Sequence, residues 1–448
     1  MSKINYRSRR FLLTVIVAVL FVCVTVSALY YCLGHRVEHR VLDVQYKTSE
    51  EQNDIYVRFD MEAYDGIVRN YWAATSTYDL PAMFQAALGK QTNSLAPLLS
   101  DDREGTAKML AGAFGPIDAP AAKKKLALDT LSIVLNNLQP LGRNSLASNE
   151  QVTSLRENVS NVDPTADLFG ELGIASTSAA QEIKVAYNKQ MAALESTTSA
   201  AGKQKIDKVA YAYKVLANEN TKSLYKSAGV EPSTVNNVLG RTLYIHLSKM
   251  SPTVVQEFAW DIDAASTTAG LDSMIIDLRG NVGGATDTAR GLTGLFLGAN
   301  QYAFDLFHQG DYQVQRTIFS RFEELGRYRE IAVLTDGLTQ STAEVMTEVL
   351  THFNIAHSVG LNTRGWGTVE NTYPLQTAID PSTSYALLLV NSITLRDDGE
   401  PIEGRGITPD VDTSKADWKT RLNGYFSSPD LIKAVKTMIA KPLTSNAL

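Results

Sequence analysis

The sequence predicts a multidomain chain: an N-terminal transmembrane helix, a helical region that includes a two-helix hairpin, and a C-terminal α/β domain. Three observations carry this prediction. Residues 11–33 contain no charged side chain and are long enough to cross a bilayer as a helix. Residues 35–230 are mainly helical in pattern. From Thr242 onward, short strand-like segments alternate with helix-like ones, which is typical of an α/β domain.

The composition is that of a folded protein. The chain has 448 residues, of which 44% are apolar and 20% charged, and these values exclude a mostly disordered chain. The net charge of −6 and the lack of a long basic run argue against a nucleic-acid partner. Cys23 and Cys32 both lie in the N-terminal apolar run, so we expect neither a disulfide framework nor a cysteine zinc site elsewhere. No metal and no cofactor is predicted.

The N-terminal apolar run is expected to anchor the chain in the cell membrane. Residues 1–10 are assigned to the cytoplasm and residues 11–33 to a single transmembrane helix. Cations concentrate on the cytoplasmic side of such helices, and more of them precede this run than follow it: Lys3, Arg7, Arg9 and Arg10, against Arg36 and Arg40. The bulk of the chain is therefore expected outside the cytoplasm. A cleaved signal peptide stays open as the alternative, since residues 26–28 are small.

Residues 35–165 are predicted to form a helical N-terminal region that ends in a linker. Asp79 followed by Pro81 has the form of a helix start. Residues 121–137 make another stretch of helical periodicity. Residues 140–166 are rich in Asn, Ser and Gly, which predicts the linker.

Residues 167–230 predict a helical hairpin with a short TTSAAG connection. Ser178 with Gln181 has the spacing of a capping box at the start of its first helix. Apolar side chains then follow at helical spacing on both helices: Ile183, Ala186, Tyr187, Met191 and Leu194, and further on Ile206, Val209, Ala210, Tyr213 and Leu216.

The intervals in this hairpin resemble those of a J domain. The matching pieces are LGI at 172–174, EIKVAY at 182–187 and AYKVL at 212–216. J domains stimulate a heat-shock ATPase through a His-Pro-Asp tripeptide, and those positions here read Glu195-Ser196-Thr197. The resemblance therefore implies a degenerate J-like module that docks a protein partner or supports the structure, and not an active co-chaperone.

Residues 236–425 are predicted to form the α/β domain that carries the chemistry, and residues 426–448 a C-terminal helix or tail. The strand-like segments are LYIHL at 243–247, SMIIDL at 273–278 and EIAVLTDG at 330–337. The helix-like segments are 251–267, 286–297 and 341–353.

Two loops at strand ends are candidate functional elements. Residues 280–284 stand before a helix, where glycines permit a close backbone approach and free amides can hold a negative oxygen. Ser341 stands where another strand passes into a helix, which exposes its hydroxyl. Each loop has a plain structural alternative, since the first is also a tight turn and the second also an N-cap.

Four segments, in order, resemble the tail-specific (C-terminal processing) serine peptidase family. They read MIIDLRGNVGG at 274–284, VLTDGLTQSTAEV at 333–345, VGLNTRGWGTVE at 359–370 and GEPIEGRGITPDV at 399–411, within residues 236–415. The resemblance implies a ClpP/crotonase-like core and polypeptide substrates. It places Ser341 at the nucleophile position. The predicted oxyanion donors are the amides of Gly283, Gly284 and Thr342.

The family's lysine base has no counterpart at the matching position. That lysine stands 25 residues after the nucleophile, where this chain has Trp366. Tryptophan has one N–H donor and no basic site, so it cannot take the proton of a serine. Glu370, His246 and Glu403 are candidate substitute bases, each with an ordinary structural role as the alternative. The tricorn-like branch of the family keeps a catalytic glutamate where Glu403 stands.

Two functions follow from this pattern. The first is a membrane-anchored serine endopeptidase of the C-terminal processing type, which acts on extracytoplasmic polypeptides with its lysine base replaced. The second is an inactive pseudoprotease that serves as a peptide-binding or assembly scaffold. The retained fold and serine favour the first, and the loss of the lysine favours the second.

Overall fold

The computed structural model describes residues 48–74 and 79–441. The predicted cytoplasmic segment 1–10 and the predicted membrane helix 11–33 lie outside these residues. Within the described part, every helix is too short or too polar to cross a bilayer.

The first described region is helical, as predicted. Its helices are α1 (Ser49–Asn53), α2 (Ile55–Asn70), α3 (Leu80–Thr92), α4 (Arg103–Phe114) and α5 (Pro120–Asn137). Helix α3 begins where the sequence predicts, because the Asp79 carboxylate accepts a hydrogen bond from the Ala82 amide at 2.9 Å. Fully buried side chains such as Phe59 and Phe84 form the core of this region.

Residues 140–166 contain two regular elements, so the prediction of a linker is wrong. Strand β1 spans Ser145–Ser148 and helix α6 spans Asn149–Val159. Ser148 and Gln151 form the capping box of α6. Serine and asparagine suit turns and helix caps equally, so the composition of this stretch did not distinguish a linker from a capped helix.

The predicted hairpin is a small helical unit with its own core. Its helices are α7 (Leu168–Leu172), α8 (Ala180–Leu194), α9 (Ala200–Ala217) and α10 (Glu219–Ala228). The core takes its side chains from the predicted faces of α8 and α9, among them Ile183, Val209 and Leu216. The sequence periodicity therefore identified the packed face of α8, whereas on α9 the core contains Ala212 and Val215 and lacks the predicted Ile206 and Ala210.

The start of α8 differs from the prediction. The helix begins at Ala180, and the Ala179 amide donates to the Glu182 carboxylate at 3.0 Å. The predicted capping box of Ser178 and Gln181 is therefore wrong by one residue. Glu182, the neighbour of Gln181, takes the capping role because a carboxylate accepts a hydrogen bond more strongly than a side-chain amide does.

The described strands form two β-sheets, and all of them except β1 lie in the second half of the chain. The strands after β1 are β2 (Thr234–Leu239), β3 (Thr242–Leu247), β4 (Ser273–Asp277), β5 (Tyr302–His308), β6 (Asp311–Arg316), β7 (Glu330–Thr335), β8 (His357–Gly360), β9 (Thr368–Pro374), β10 (Tyr385–Leu395) and β11 (Val411–Asp412). One sheet has the order β11-β8-β7-β4-β3-β2. It is parallel except for the β2–β3 pair.

Helices alternate with the strands of this parallel sheet, which confirms the α/β prediction. They are α11 (Val254–Ala265), α12 (Thr286–Leu297) and α13 (Thr342–His352). Leu243 and Ile276 pack on the face that these helices cover. Strand β4 is buried along its whole length, as its continuous apolar run predicts.

The opposite face of the parallel sheet is covered by the C-terminal helix. Tyr244 and Ile275 pack there with side chains of α15 (Pro429–Ala440), which follows the short α14 (Trp418–Arg421). The helix predicted within residues 426–448 is therefore present as α15, and residues 442–448 lie outside the described part.

The second sheet joins the helical region to the α/β domain. It has the order β1-β10-β5-β6, and β9 also pairs with β10. Ser145 of β1 is the partner of Leu388 in β10. Leu387 and Leu389 of β10 belong to the core of the N-terminal helices. A shared sheet and a shared core therefore cross the predicted boundary between the two regions.

Candidate active site

Ser341 lies at the carboxyl edge of the parallel sheet. Strand β7 ends at Thr335, and Ser341 is the residue immediately before helix α13. Its backbone has a φ of 56° and a ψ of −125°, outside the regions that residues with a side chain ordinarily occupy. Such a conformation costs on the order of 1–3 kcal/mol and clusters at functional turns. The turn therefore presents Ser341 as a strand-to-helix turn presents a nucleophile.

The glycine-rich loop after β4 approaches this turn closely. A Cβ atom on Gly283 would lie 2.7 Å from the Cβ of Ser341. A Cβ atom on Gly284 would lie 2.1 Å from the carbonyl oxygen of Met250. Both glycines also have a positive φ, so a larger residue would have to displace the loop from Ser341.

Two hydrogen bonds hold the glycine loop against the serine turn. The Gln340 amide donates to the Asn281 carbonyl at 2.9 Å. The Thr342 hydroxyl donates to the Gly284 carbonyl at 3.1 Å. The two loops that the sequence selected separately therefore form one unit.

The three predicted oxyanion donors differ in how they are engaged. The Gly283 amide donates to the Asn281 side-chain oxygen at 2.9 Å, so it is already occupied. Within the described residues, the amides of Gly284 and Thr342 have no hydrogen-bond acceptor. The Thr342 amide directly follows Ser341 in the chain, and the Thr342 hydroxyl bonds to Gly284, so both amides are candidate donors to a negatively charged oxygen.

Buried charges anchor the base of the glycine loop. The Arg279 guanidinium donates to the Asp277 carboxylate at 2.9 Å and 2.6 Å, and the Tyr244 hydroxyl donates to the same carboxylate at 2.9 Å. Asp277 is fully buried, so the pair satisfies charges that would otherwise be costly. Their role here is to hold the loop in position.

A buried carboxylate ties the serine turn to the loop after β8. Glu344 Oε2 accepts hydrogen bonds from the amides of Ser341 and Trp366, both at 2.8 Å. Glu344 Oε1 accepts from the Gly365 amide at 2.7 Å and from the Thr363 hydroxyl at 2.5 Å. Burial raises the pKa of Glu344, and these four hydrogen bonds oppose the rise.

Trp366 stands on that loop with its side chain engaged. Its indole N–H donates to Glu370 Oε1 at 3.0 Å, and the Thr368 hydroxyl donates to the same oxygen. Burial raises the pKa of Glu370, while the two hydrogen bonds and the charge of Arg143 lower it. Among the described residues, no acceptor pairs with the hydroxyl of Ser341, so neither Trp366 nor Glu370 serves as its base in this geometry.

Arg143 joins this cluster from the helical region. Its guanidinium carbon lies 3.3 Å from the centre of the Trp366 ring, which is a cation–π stack. Its Nη2 donates to Glu403 Oε1 at 3.0 Å, and Glu403 Oε2 accepts from the Gly367 amide at 2.8 Å. The structure thus brings Trp366, Glu370 and Glu403 together around an arginine.

His246 is directed to a different partner. Its Nδ1 lies 3.0 Å from the carbonyl oxygen of Asp277. Because a carbonyl only accepts, Nδ1 carries the proton. Burial lowers the pKa of His246, which favours the neutral ring. No hydrogen bond in the described part of the chain joins His246 to Ser341.

Residues 241–413 match the model of peptidase family S41. The match covers this part of the chain, which is less than half of its length. The resemblance to C-terminal processing peptidases is thereby confirmed for the S41 domain. The match begins after the helical hairpin, so the J-domain resemblance of residues 167–230 stays a prediction.

Two curated relatives are similar to part of the chain. It is 30% identical over 149 residues to a probable CtpA-like serine protease of Staphylococcus aureus, which is 33% of this chain and 28% of that protein. It is 27% identical over 178 residues to a carboxy-terminal-processing protease of Bartonella bacilliformis, which is 40% of this chain and 39% of that protein. The chain therefore spans well under half the length of these relatives.

Solved structures give weaker similarity. The photosystem II D1 C-terminal processing protease aligns with a TM-score of 0.45 and 12% identity, over 82% of this chain and 93% of that one. A lipoprotein from Streptococcus agalactiae aligns with a TM-score of 0.40 and 13% identity, over 78% of this chain and 96% of that one. At these values the S41 assignment rests on the family match and the curated relatives.

Sequence reasoning assigned no role to two residues that the structure places at this site, Glu344 and Arg143. Glu344 stands three residues after Ser341, and the spacing of a capping box was the available signal. Arg143 lies in the segment that composition assigned to a linker, and no local pattern singles it out. Its role depends on β1 pairing with β10, which carries it to the S41 domain.

Proposed function

We propose that this chain is a serine endopeptidase of the C-terminal processing type that acts on polypeptides. The observation that carries the proposal is the strained turn at Ser341, with φ of 56° and ψ of −125°, next to the two unoccupied amides of Gly284 and Thr342. A conformational cost of this kind persists where function needs it. The proposal rests on this nucleophile geometry and not on the curated relatives, of which the chain covers only a part.

The proposed reaction follows acyl transfer. The Ser341 oxygen attacks the carbonyl carbon of the substrate, and the amides of Gly284 and Thr342 stabilise the negative oxygen that forms. The hydroxyl proton leaves to an acceptor, the C–N bond breaks, and the amine departs with a proton. Water then hydrolyses the acyl-enzyme and restores the serine. Glu370, Glu403 and His246 each have other partners, so we propose that solvent takes the first proton.

If solvent accepts the proton of the Ser341 hydroxyl, we expect the proposed enzyme to be slow. General-base catalysis is typically worth about 10²–10⁴-fold, and this contribution is lost. The rate should then rise with pH without a plateau at acidic pH. A carboxylate base such as Glu370 would instead give a rate that levels off above its pKa.

Hydrolysis of an unstructured polypeptide by the full chain tests the proposal. We expect slow cleavage and slow labelling by a serine-directed fluorophosphonate, and Ser341→Ala should remove both. Cleavage that persists in Ser341→Ala would show that another protein or another site is responsible. The absence of both cleavage and labelling in the wild type would exclude the proposed activity.

A second candidate is the inactive scaffold, and the contacts of Trp366 favour it. The indole donates to Glu370 and stacks on Arg143, so the base position is filled by a residue that cannot accept a proton. In this case the wild type and Ser341→Ala should bind an unstructured polypeptide with equal affinity and leave it intact. Binding without cleavage or labelling would decide for the scaffold.

Anchoring and topology belong to the same proposal. The uncharged run at 11–33 and the cations that precede it support a single span with the bulk of the chain outside the cytoplasm. Protease added to intact cells should digest that bulk. Full protection would contradict the topology, and a mature N-terminus near Leu29 would replace the anchor by a cleaved signal peptide.

We also propose that the hairpin 167–230 is a docking or structural module. Glu195-Ser196-Thr197 stand in place of the tripeptide of active J domains. The full chain should therefore leave a heat-shock ATPase unstimulated. Stimulation that disappears in Glu195→Ala would contradict this proposal.

A further inference from the structure

The helical region reaches into the S41 site through one residue. Arg143 lies outside the residues that match the family, 241–413, yet its guanidinium covers Trp366. We propose that Arg143 is a positioning residue that clamps Trp366 and the carboxylates of Glu370 and Glu403. The S41 site is then complete only when the helical region is docked on the domain.

The contacts of Arg143 support a clamp. The guanidinium carbon lies 3.3 Å from the ring centre of Trp366, and Nη2 donates to Glu403 at 3.0 Å. The Arg143 and Glu403 side chains are each only 15% exposed. Low exposure strengthens both the stack and the ion pair, because solvent screens them less. A planar guanidinium can stack and donate at once, which a lysine cannot.

The segment that carries Arg143 is held on both sides. The Gln139 carbonyl accepts hydrogen bonds from the Tyr71 hydroxyl and from the Trp72 indole N–H, the latter at 2.8 Å. The Asn144 side chain accepts from the Val390 amide of β10 at 2.8 Å. Directly after it, β1 pairs with β10. Hydrogen bonds on both sides of Arg143 therefore hold its backbone in place beside the site.

Glu370 is the group whose ionisation the clamp controls. Glu370 lies on β9, within reach of the charge of Arg143 in the segment before β1, and Arg143 also pairs with Glu403 from the loop after β10. The next carboxylate, Glu344 on α13, bonds to the Trp366 amide. Burial raises the pKa of Glu370; the hydrogen bonds from Thr368 and Trp366 oppose this rise, and the charge of Arg143 adds to that opposition. Removing this charge should make Glu370 harder to ionise.

Trp366 supplies a direct readout, since its indole N–H donates to Glu370. The full-length chain and its Trp366→Phe variant are titrated with pH, and the fluorescence difference isolates Trp366. Protonation of Glu370 changes the charge next to the indole, so the difference signal should titrate with Glu370. The measurement needs no hydrolysis, so it separates failure of this inference from failure of the proposed peptidase activity.

Arg143→Ala should raise the midpoint of this titration, because the guanidinium charge lowers the pKa of Glu370. Arg143→Lys should fall between the two, since it keeps the charge and loses the stack. Arg364→Ala is the matched control, because Arg364 is exposed and stands two residues from Trp366. Its midpoint should equal that of the wild type.

Three results would overturn the inference. The first is an Arg143→Ala midpoint equal to that of the wild type. The second is a shift of the same size in Arg364→Ala. The third is a Trp366 signal that does not titrate at all, which would mean that the indole and Glu370 are not joined. Circular dichroism across the pH range verifies that each variant is folded.

Discussion

The S41 site has two halves that are built in different ways. The nucleophile half consists of Ser341 with the free amides of Gly284 and Thr342, and it keeps a strained turn and unoccupied donors. The base half consists of Trp366, Glu370, Glu403 and Arg143, and it is closed by a stack, an ion pair and hydrogen bonds. One half keeps amides without an acceptor among the described residues, whereas the other is filled by its own side chains.

This difference is possible because Glu344 links the halves through backbone groups. It accepts from the amides of Ser341, Gly365 and Trp366. Every residue except proline supplies such an amide, so the side chain at 366 can change without disturbing the serine turn. A tryptophan at position 366 is therefore compatible with the nucleophile geometry that we propose for Ser341.

Replacing the tryptophan by lysine is the strongest test of this separation. Trp366→Lys should raise hydrolysis of an unstructured polypeptide by about 10²–10⁴-fold, the usual contribution of a general base. The nearby charge of Arg143 favours a neutral amine, although Glu370 and Glu403 oppose this. Ser341→Ala in the same background should abolish the gain. A folded Trp366→Lys protein without any gain would show that the nucleophile half is also impaired.

Removing the charge of Glu344 should disrupt both halves at once. Both of its oxygens accept two hydrogen bonds, four in all, so the NH₂ group of a glutamine must face donors. Glu344→Gln should lower the free energy of unfolding by about 3 kcal/mol, because buried donors are left unpaired. Urea unfolding measures the change. Glu323→Gln, which alters an exposed carboxylate, is the control, and an equal effect would contradict the link.

A methyl group on the glycine loop should affect only the nucleophile half. In Gly283→Ala the new Cβ would lie 2.7 Å from the Ser341 Cβ, and the positive φ adds strain, for a loss of about 2 kcal/mol in unfolding free energy. Labelling of Ser341 by a fluorophosphonate should fall as well. Gly337→Ala is the matched control, since an added Cβ there meets nothing within 4 Å. Labelling that survives in Gly283→Ala would contradict the close approach.

The smallest effect is expected at Glu370. Both of its hydrogen bonds end on Oε1, so the glutamine oxygen can accept both. Burial raises the pKa of Glu370 in the folded chain. Below the unfolded pKa of about 4.3, Glu370 is protonated in both states and costs no stability. As the pH rises from there through the folded pKa, ionisation of the buried carboxyl lowers the free energy of unfolding. Glu370→Gln should remove this loss.

We expect Glu370→Gln to be more stable than the wild type above that pH window, and equally stable below it. Urea unfolding of the wild type and the variant at acidic and at neutral pH measures the difference. If the variant is less stable than the wild type at neutral pH, the charge of Glu370 stabilises the fold, chiefly through its attraction to Arg143.

The sequence predicted elements with strong periodicity well. The continuous apolar run of β4 and the helix at 286–297 were found where they lie, because burial on both faces and helical spacing leave local patterns. It failed at residues 140–166 and at the cap of α8. There, the polar side chains suit turns, caps and strand ends alike.

For the site, the sequence alone determined that Ser341 stands where a strand passes into a helix, that glycines stand in a second loop at a strand end, and that Trp366 cannot act as a base. Each statement depends only on residue type and near neighbours. The tertiary structure decided that the Gly283 amide donates to Asn281, that His246 bonds to the Asp277 carbonyl and that Arg143 stacks on Trp366. The first outcome depends on how the glycine loop itself folds, since Asn281 is two residues from Gly283. The other two depend on strand pairing between distant segments, which places side chains together without leaving a local pattern in either segment.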